Sequence, residues 1–248
     1  MTKRLTCLTL WAAMSAVSLS ADNAIAHPSS SPAAADSKKW SVLLSVDLAG
    51  KNLTVRNRMQ SSTTPAPWSK TTESKRAVLP GFTVQGHLNI GESGGYLGAE
   101  ISYLIGDLKA QSNSPHLLYV NKNHALHHRR MSHMIQTGLI IGKRFGDSAV
   151  HLKAGVAFAK VRHRTFFDRN QVSNLHYDKN ATGYYVGVGY VKNIAHNFAV
   201  GIDYEYALYR TEKKAFDHPG AVRVLRNKGN FKSQATIDTL KLRFIYKI

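Results

Sequence analysis

Hydrophobic and polar residues alternate in eight stretches of the chain between Trp40 and Ile248. Alternation with a period of two puts apolar side chains on one face of a β-strand and polar side chains on the other. The stretches begin near positions 40, 82, 97, 135, 150, 184, 198 and 240. The pattern therefore predicts eight strands, each with one apolar and one polar face.

Short and long connections alternate between these strands. Residues 91–95, 146–149 and 193–197 are rich in Gly, Asp, Ser and Asn, which favour tight turns. The longer connections cover roughly residues 50–77, 106–130, 162–181 and 208–234. This regular order is typical of an all-β, eight-stranded antiparallel up-and-down transmembrane β-barrel, with four long extracellular loops and three short periplasmic turns.

The composition of the two faces predicts which one meets lipid. The polar face is rich in Gly and Ala, which suit the crowded interior of a narrow barrel, and aromatic residues gather near the ends of the apolar face. A soluble, lipocalin-like carrier is the alternative, but it would need a mostly apolar inner face. We therefore expect charged residues to form an ion-pair network in a closed lumen: Asp47, Glu100, Lys153, Asp203, Glu205, Lys241 and Arg243.

The N-terminal region predicts export. Residues 1–26 combine Lys3 and Arg4, an apolar stretch and a small-residue cleavage site, as a secretory signal peptide does. Residues 27–39 are expected to form a flexible linker before the barrel of residues 40–248. The single cysteine, Cys7, lies in the predicted signal peptide, so the mature chain would have no disulfide.

The strand pattern, the segment from Asn197 to Tyr206 and the closing segment from Leu240 to Ile248 carry a family resemblance. The chain resembles small bacterial outer-membrane β-barrel surface proteins, namely the OmpA-type transmembrane domain and the opacity-type antigens. The resemblance implies a multi-pass location in the outer membrane, assembly by the barrel-assembly machinery, and a role as surface antigen, adhesin, structural protein or narrow porin. Members usually end in an aromatic residue, whereas this chain ends in Ile248.

Net charge suggests the kind of partner. The formal charge of +18 becomes +17 when Lys3, Arg4 and Asp22 leave with the signal peptide. An exported basic chain meets outer-membrane lipid, lipopolysaccharide and host glycans or surface proteins, so we expect no nucleic acid partner. Arginine forms forked hydrogen bonds with phosphate and sulfate. The candidate anion-binding residues lie in the predicted loops: Arg56, Arg58, Arg129, Arg130, Arg162, Arg164, Arg223 and Arg226.

Metal or haem binding and hydrolysis each require particular residues. His124, His127 and His128 are close enough in sequence to suggest a haem or metal site as an alternative function, although we expect no resident cofactor. A hydrolase would need a Ser or a carboxylate pair beside a His. Ser102 and His151 fall on the predicted inner face, where polar residues are expected anyway, so we expect no enzyme activity.

Overall fold

The computed structural model describes residues 40–61, 69–90, 93–115, 124–167, 173–217 and 228–248. The predicted signal peptide and linker lie outside these residues. Within the described ranges there is no helix with the length and hydropathy needed to cross a bilayer.

The described residues form a closed antiparallel barrel in which every strand pairs with its sequence neighbours and the last pairs with the first. Closure leaves no sheet edge in the spanning region, as hydrocarbon requires because it offers no hydrogen-bond partners. The predicted fold class is confirmed. The strands are β1 (Trp40–Ser61), β2 (Ser69–Ile90), β3 (Gly95–Pro115), β4 (His124–Phe145), β5 (Ser148–Phe167), β6 (Ser173–Asn193), β7 (Phe198–Asp217) and β8 (Lys228–Lys247).

Three tight turns join the strands at the end of the barrel that holds Trp40. Gly94 and Gly146 adopt positive φ angles of 77° and 57°, a region that glycine enters without steric penalty. In the turn after β6, the Ile194 amide donates a hydrogen bond to the Phe198 carbonyl at 3.0 Å. These turns lie where the sequence predicts them.

The outer surface near these turns is apolar. Val46, Leu139 and Leu152 expose 66%, 73% and 59% of their surface, whereas the intervening polar residues are buried. Exposed apolar side chains on all eight strands form a continuous belt, which is stable only against lipid. The prediction that apolar residues face outward and polar residues face the lumen is confirmed.

The strands extend much further than the sequence predicts, and most of residues 50–77, 106–130, 162–181 and 208–234 are strand rather than loop. The prediction of long loops at these positions was therefore wrong in its boundaries. The polarity of the alternation reverses beyond the belt: Leu53 and Val55 are buried, while Arg56 between Val55 and Asn57 is exposed. The reversal follows from the change of solvent, because above the hydrocarbon the outer wall meets water.

The barrel divides into two sheets in this outer region. The β2–β3 ladder ends at Gly81 and Leu104, and the β6–β7 ladder ends at Gly183 and Tyr209, although all four strands continue. We call β7, β8, β1 and β2 the β1 sheet, and β3, β4, β5 and β6 the β4 sheet. Both sheets contribute to one buried apolar core, which includes Leu53, Val55, Leu79, Leu104, Leu108, Met131, Met134, Val161, Tyr185, Tyr209 and Ile237.

Candidate functional sites: a charged lumen and a basic outer wall

Lys153 lies at the centre of the charged lumen. Its Nζ atom is 2.7 Å from Asp203 Oδ2, 2.6 Å from Glu205 Oε1 and 3.6 Å from Glu100 Oε1. The four side chains come from β5, β7 and β3, and each is at most 1% exposed. Charges removed from water in this way are stable only when they are paired at close range.

The network continues through the last two strands. Lys241 Nζ lies 2.8 Å from Glu205 Oε1, and the Arg243 guanidinium lies 3.3 Å from Asp203 and 3.5 Å from Asp47. The structure thus brings together all seven residues proposed for the lumen from the sequence. Lys51, which the sequence placed in a loop, is also buried and lies on the inner face of β1.

Neutral side chains complete the hydrogen bonding of the lumen. The Tyr185 hydroxyl donates to Glu100 Oε1 at 2.7 Å, and Gln85 donates to Glu100 Oε2 at 2.9 Å. Tyr185 fits because Gly138 lies against its hydroxyl group and Gly155 against its ring, where a Cβ atom would collide with the side chain. Sequence reasoning missed Tyr185, although its place between Gly183 and Gly187 puts it on the inner face.

The chemistry that this network supports is electrostatic. Ser102 accepts a hydrogen bond from Lys241 Nζ at 3.3 Å, and His151 Nε2 lies 3.4 Å from Asp203 Oδ1. Both side chains are buried beneath the apolar core of the outer region. The arrangement balances fixed charges inside the barrel.

A second candidate site lies on the outer wall of the β4 sheet. Along β5, Phe158 ends the apolar belt, and Lys160, Arg162 and Arg164 follow on the same outer face while Val161 and its inward neighbours are buried. Register places Arg162 opposite Arg130 of β4, and Arg130 opposite Lys109 of β3. The antiparallel ladder therefore sets cations from three neighbouring strands in one row.

We call this surface the basic wall. It encloses a cavity of about 420 Å³ lined by Lys75, Lys109, Ala110, Gln111, His128, Arg129, Arg130, Arg162 and Arg164. Lys75 comes from β2, on the other side of the gap between the two sheets. A concave surface with this density of cations is suited to a multivalent anion.

Two carboxylates orient the guanidinium groups. Arg130 contacts Asp107 at 2.6 Å, and Arg162 Nε contacts Asp178 Oδ1 at 3.1 Å. The hydrogen bond from Arg130 holds the pKa of the Asp107 carboxyl below its ordinary value, so this carboxylate stays charged in mildly acidic solution. The pairs restrict the arginine side chains, and the cations still outnumber the acids.

The other candidate anion-binding residues are separated by the fold. Arg129 lines the cavity from the inner face of β4, where its side chain is buried and donates a hydrogen bond to Ser233. Arg56 is exposed on the β1 sheet. Arg58 lies on β1 but its side chain is outside the described set, and Arg223 and Arg226 lie outside the described residues.

The predicted histidine site is only partly described. His128 lines the cavity of the basic wall, whereas the side chains of His124 and His127 lie outside the described set. Among the described side chains, no group of three or more His, Cys, Asp or Glu residues is arranged to hold a metal ion.

A closed eight-stranded barrel with a lipid-facing belt and a filled lumen defines a small outer-membrane β-barrel, and its place is the bacterial outer membrane. Among solved structures, the chain is similar to the outer membrane protein OprG from Pseudomonas aeruginosa. The identity is 12%, the match covers 82% of this chain and 95% of OprG, and the TM-score is 0.53. This likeness shows the fold.

Two other barrels are more distant in shape. The outer membrane protease OmpT from Escherichia coli matches 84% of this chain and 97% of its own at 9% identity, with a TM-score of 0.48. For Ail from Yersinia pestis, the match covers 82% of this chain and 98% of Ail at 12% identity, with a TM-score of 0.37. No protein-family model and no curated protein matches the sequence.

Proposed function

We propose that the protein is a non-enzymatic surface protein of the outer membrane, an antigen or adhesin that binds anionic glycans or lipopolysaccharide through its basic outer region. The observation that carries the proposal is the cavity of the basic wall, where arginines from β4 and β5 and lysines from β2 and β3 surround one space.

The arrangement favours sulfate or phosphate groups on a polymer. A guanidinium group forms two parallel hydrogen bonds with such groups, and a hydrogen bond to a charged partner contributes about 1.5–3 kcal/mol. Arg130 and Arg162 face each other across the β4–β5 ladder, which sets two such forks at strand spacing. Several sulfate or phosphate groups on one chain could therefore be bound together.

The lumen has a structural part in this proposal. The ion pairs around Lys153 hold the barrel walls together, and the apolar core above them ties the two outer sheets. Rigid sheets keep the cations of the basic wall in place before a ligand arrives, which lowers the entropy lost on binding.

The test is binding of a fluorescent heparin oligosaccharide to the refolded protein in detergent, measured by anisotropy over a salt series. The wild-type protein should bind and weaken steeply as salt rises. Arg130→Gln/Arg162→Gln should lower the affinity about 100-fold or more and flatten the salt dependence, because two charge-assisted contacts of about 1.5–3 kcal/mol each are lost.

The matched control is Lys143→Gln/Lys192→Gln, which removes two exposed cations near the turns at the other end of the barrel. This variant should bind like the wild type. Binding that ignores salt, or an equal loss in both double variants, would contradict the proposed function.

A further inference from the structure

We infer that the mouth of the barrel at the turn end is a binding site for a phosphate group that enters from the periplasm. The site is separate from the basic wall and goes beyond the proposed function. It is built by two inward-facing cations, Arg144 on β4 and Lys247 on β8. Three observations support it: how each cation is held, which charges surround the two cations, and a buried hydroxyl group beside them.

Arg144 is held over β3 with its guanidinium group in a defined position. The guanidinium carbon lies 5.2 Å from the centre of the Tyr96 ring, and Nη1 donates a hydrogen bond of 2.7 Å to Asn89 Oδ1 on β2. Tyr96 is itself fixed, because its ring stacks on that of His87 at 4.5 Å and lies against Gly142. A guanidinium group has several N–H donors, so the hydrogen bond to Asn89 leaves others for a ligand. The cation is thus positioned before a ligand arrives.

Lys247 is held in a similar way on the opposite side of the mouth. Its Nζ atom donates a hydrogen bond to Asn193 Oδ1 on β6, so its side chain crosses β7 as the side chain of Arg144 crosses β3. β3 and β7 stand opposite each other in the closed barrel. The two cations therefore flank the centre of the mouth, where they are close enough to repel each other.

The charges around the mouth are mostly positive. Among the described residues, neither Arg144 nor Lys247 has a carboxylate within ion-pair distance, and Asp147 acts on Lys247 only from further away. The charged groups that act on His87, next to the mouth, are all basic: Arg144, His151, Arg243 and Lys247. Converging positive charge beside low-dielectric walls attracts an anion.

The inner end of the site combines an apolar base with a hydroxyl group. Leu43, Val191 and Ile245 of a small buried apolar cluster close the lumen next to the mouth. Ser41 lies beside Leu43 on the inner face of β1, nearer the mouth, and its Oγ atom is buried without a hydrogen-bond partner in the described ranges. A buried hydroxyl group without a partner is costly, and a phosphate oxygen would accept its hydrogen bond.

These features favour a phosphate group over other small anions. Two cations balance the double negative charge of inorganic phosphate or of a phosphate monoester, and the guanidinium fork matches two of its oxygens. A carboxylate carries one charge and would leave one cation without a partner. The apolar base separates the mouth from the charged network of the lumen, so the ligand enters and leaves on the periplasmic side.

The experiment is a phosphorus NMR titration of the detergent-refolded protein with inorganic phosphate and, separately, with glycerol phosphate. Arg130→Gln/Arg162→Gln serves as the parent protein, so that the basic wall contributes little binding. In this parent, Arg144→Gln/Lys247→Gln should weaken phosphate binding about 100-fold, because two charge-assisted contacts are lost.

The matched control in the same parent is Lys143→Gln/Lys192→Gln. It removes two exposed cations at the same end of the barrel, each on the outer face beside the inner-face residues Arg144 and Asn193. This control should bind phosphate like the parent. Lys247→Gln alone is a milder variant and should weaken binding about ten-fold. Heat-modifiable migration in electrophoresis checks that each variant is folded.

Each outcome bears directly on the site. A preference for one of the two phosphates identifies the form of the ligand, and equal affinity means that the phosphate group alone is recognised. Acetate should compete poorly with either. The inference is overturned if the parent shows no saturable phosphate binding, if the two double variants lose equal affinity, or if acetate competes as well as phosphate. None of these results changes the expected binding of heparin to the basic wall.

Discussion

Single residues decide whether the lumen is stable. Lys153 contacts the carboxylates of Glu100, Asp203 and Glu205. Lys241 also contacts Glu205, and Arg243 contacts Asp203 and Asp47. Removing one partner of a buried ion pair leaves the other charge desolvated, which costs more than the pair contributes. The lumen should therefore tolerate paired neutralisation better than the loss of a single charge.

We predict that Lys153→Met lowers the free energy of unfolding by about 3–5 kcal/mol, because Asp203 and Glu205 lose their shared cation. Lys153→Met/Glu205→Gln should recover part of this loss. The measurement is urea unfolding in lipid vesicles, with Lys143→Met at the exposed surface as the control. A loss in Lys153→Met no larger than that of the control would contradict the prediction.

At the scale of the strand, the sequence predicts the spanning segments well and their ends poorly. In the pairs Leu152–Lys153 and Leu242–Arg243, the apolar residue faces outward and the charged residue faces the lumen. Their alternation in the sequence was enough to predict these orientations. Beyond the belt, the polarity of the alternation reverses. Because the predicted pattern places apolar residues on the outside, it assigns Arg162 and Arg164 to a loop.

The two candidate sites also differ in how well the sequence predicts them. The charges of the lumen were predicted because they lie on the polar face of the strands, where they alternate with outward apolar residues at a period of two. Arg130 and Arg162 of the basic wall were proposed as anion-binding loop residues, but their grouping with Lys109 could not be predicted, because it depends on the register that sets these three residues side by side. Register follows from ladder geometry across strands that are distant in sequence, and the predicted loops obscured it.

The gap between the two sheets should raise the rate of amide hydrogen exchange in the outer part of β3. Residues 107–115 of β3 pair only with β4, since the β2–β3 ladder ends at Leu104. About half of their amides therefore lack a strand partner and should exchange faster than residues 136–142 of β4, which pair on both sides. Exchange of the refolded protein, followed by mass spectrometry, tests this. Uniform protection along β3 would mean that the gap is closed.

At the scale of the whole molecule, the interior is a stack of layers. A small apolar cluster of Leu43, Val191, Ala199 and Ile245 lies near the turns, followed by the charged network and then the larger apolar core. Side chains also fill the interior of other eight-stranded barrels. Three layers in series leave the lumen occupied over most of its length.

We therefore expect little or no ion conductance from the protein in planar bilayers. Lys241→Ala, which opens space in the charged layer, should raise leak current if the charged layer is the barrier. Leu43→Ala in the lower cluster is the control for general loosening of the barrel. Large, steady single-channel steps from the wild-type protein would contradict the filled lumen.

The length of the strands has a consequence for what the cell displays. β5 continues from Phe158 at the top of the belt to Phe167. At strand rise and barrel tilt, this is about 20–25 Å of vertical height. The strand ends therefore stand well clear of the bilayer, where an antibody can reach them, while the base of the same strands stays shielded by neighbouring lipid. Under the proposed role as a surface antigen, we expect immune selection to favour sequence variation at the outer ends of the hairpins and to leave their base unchanged.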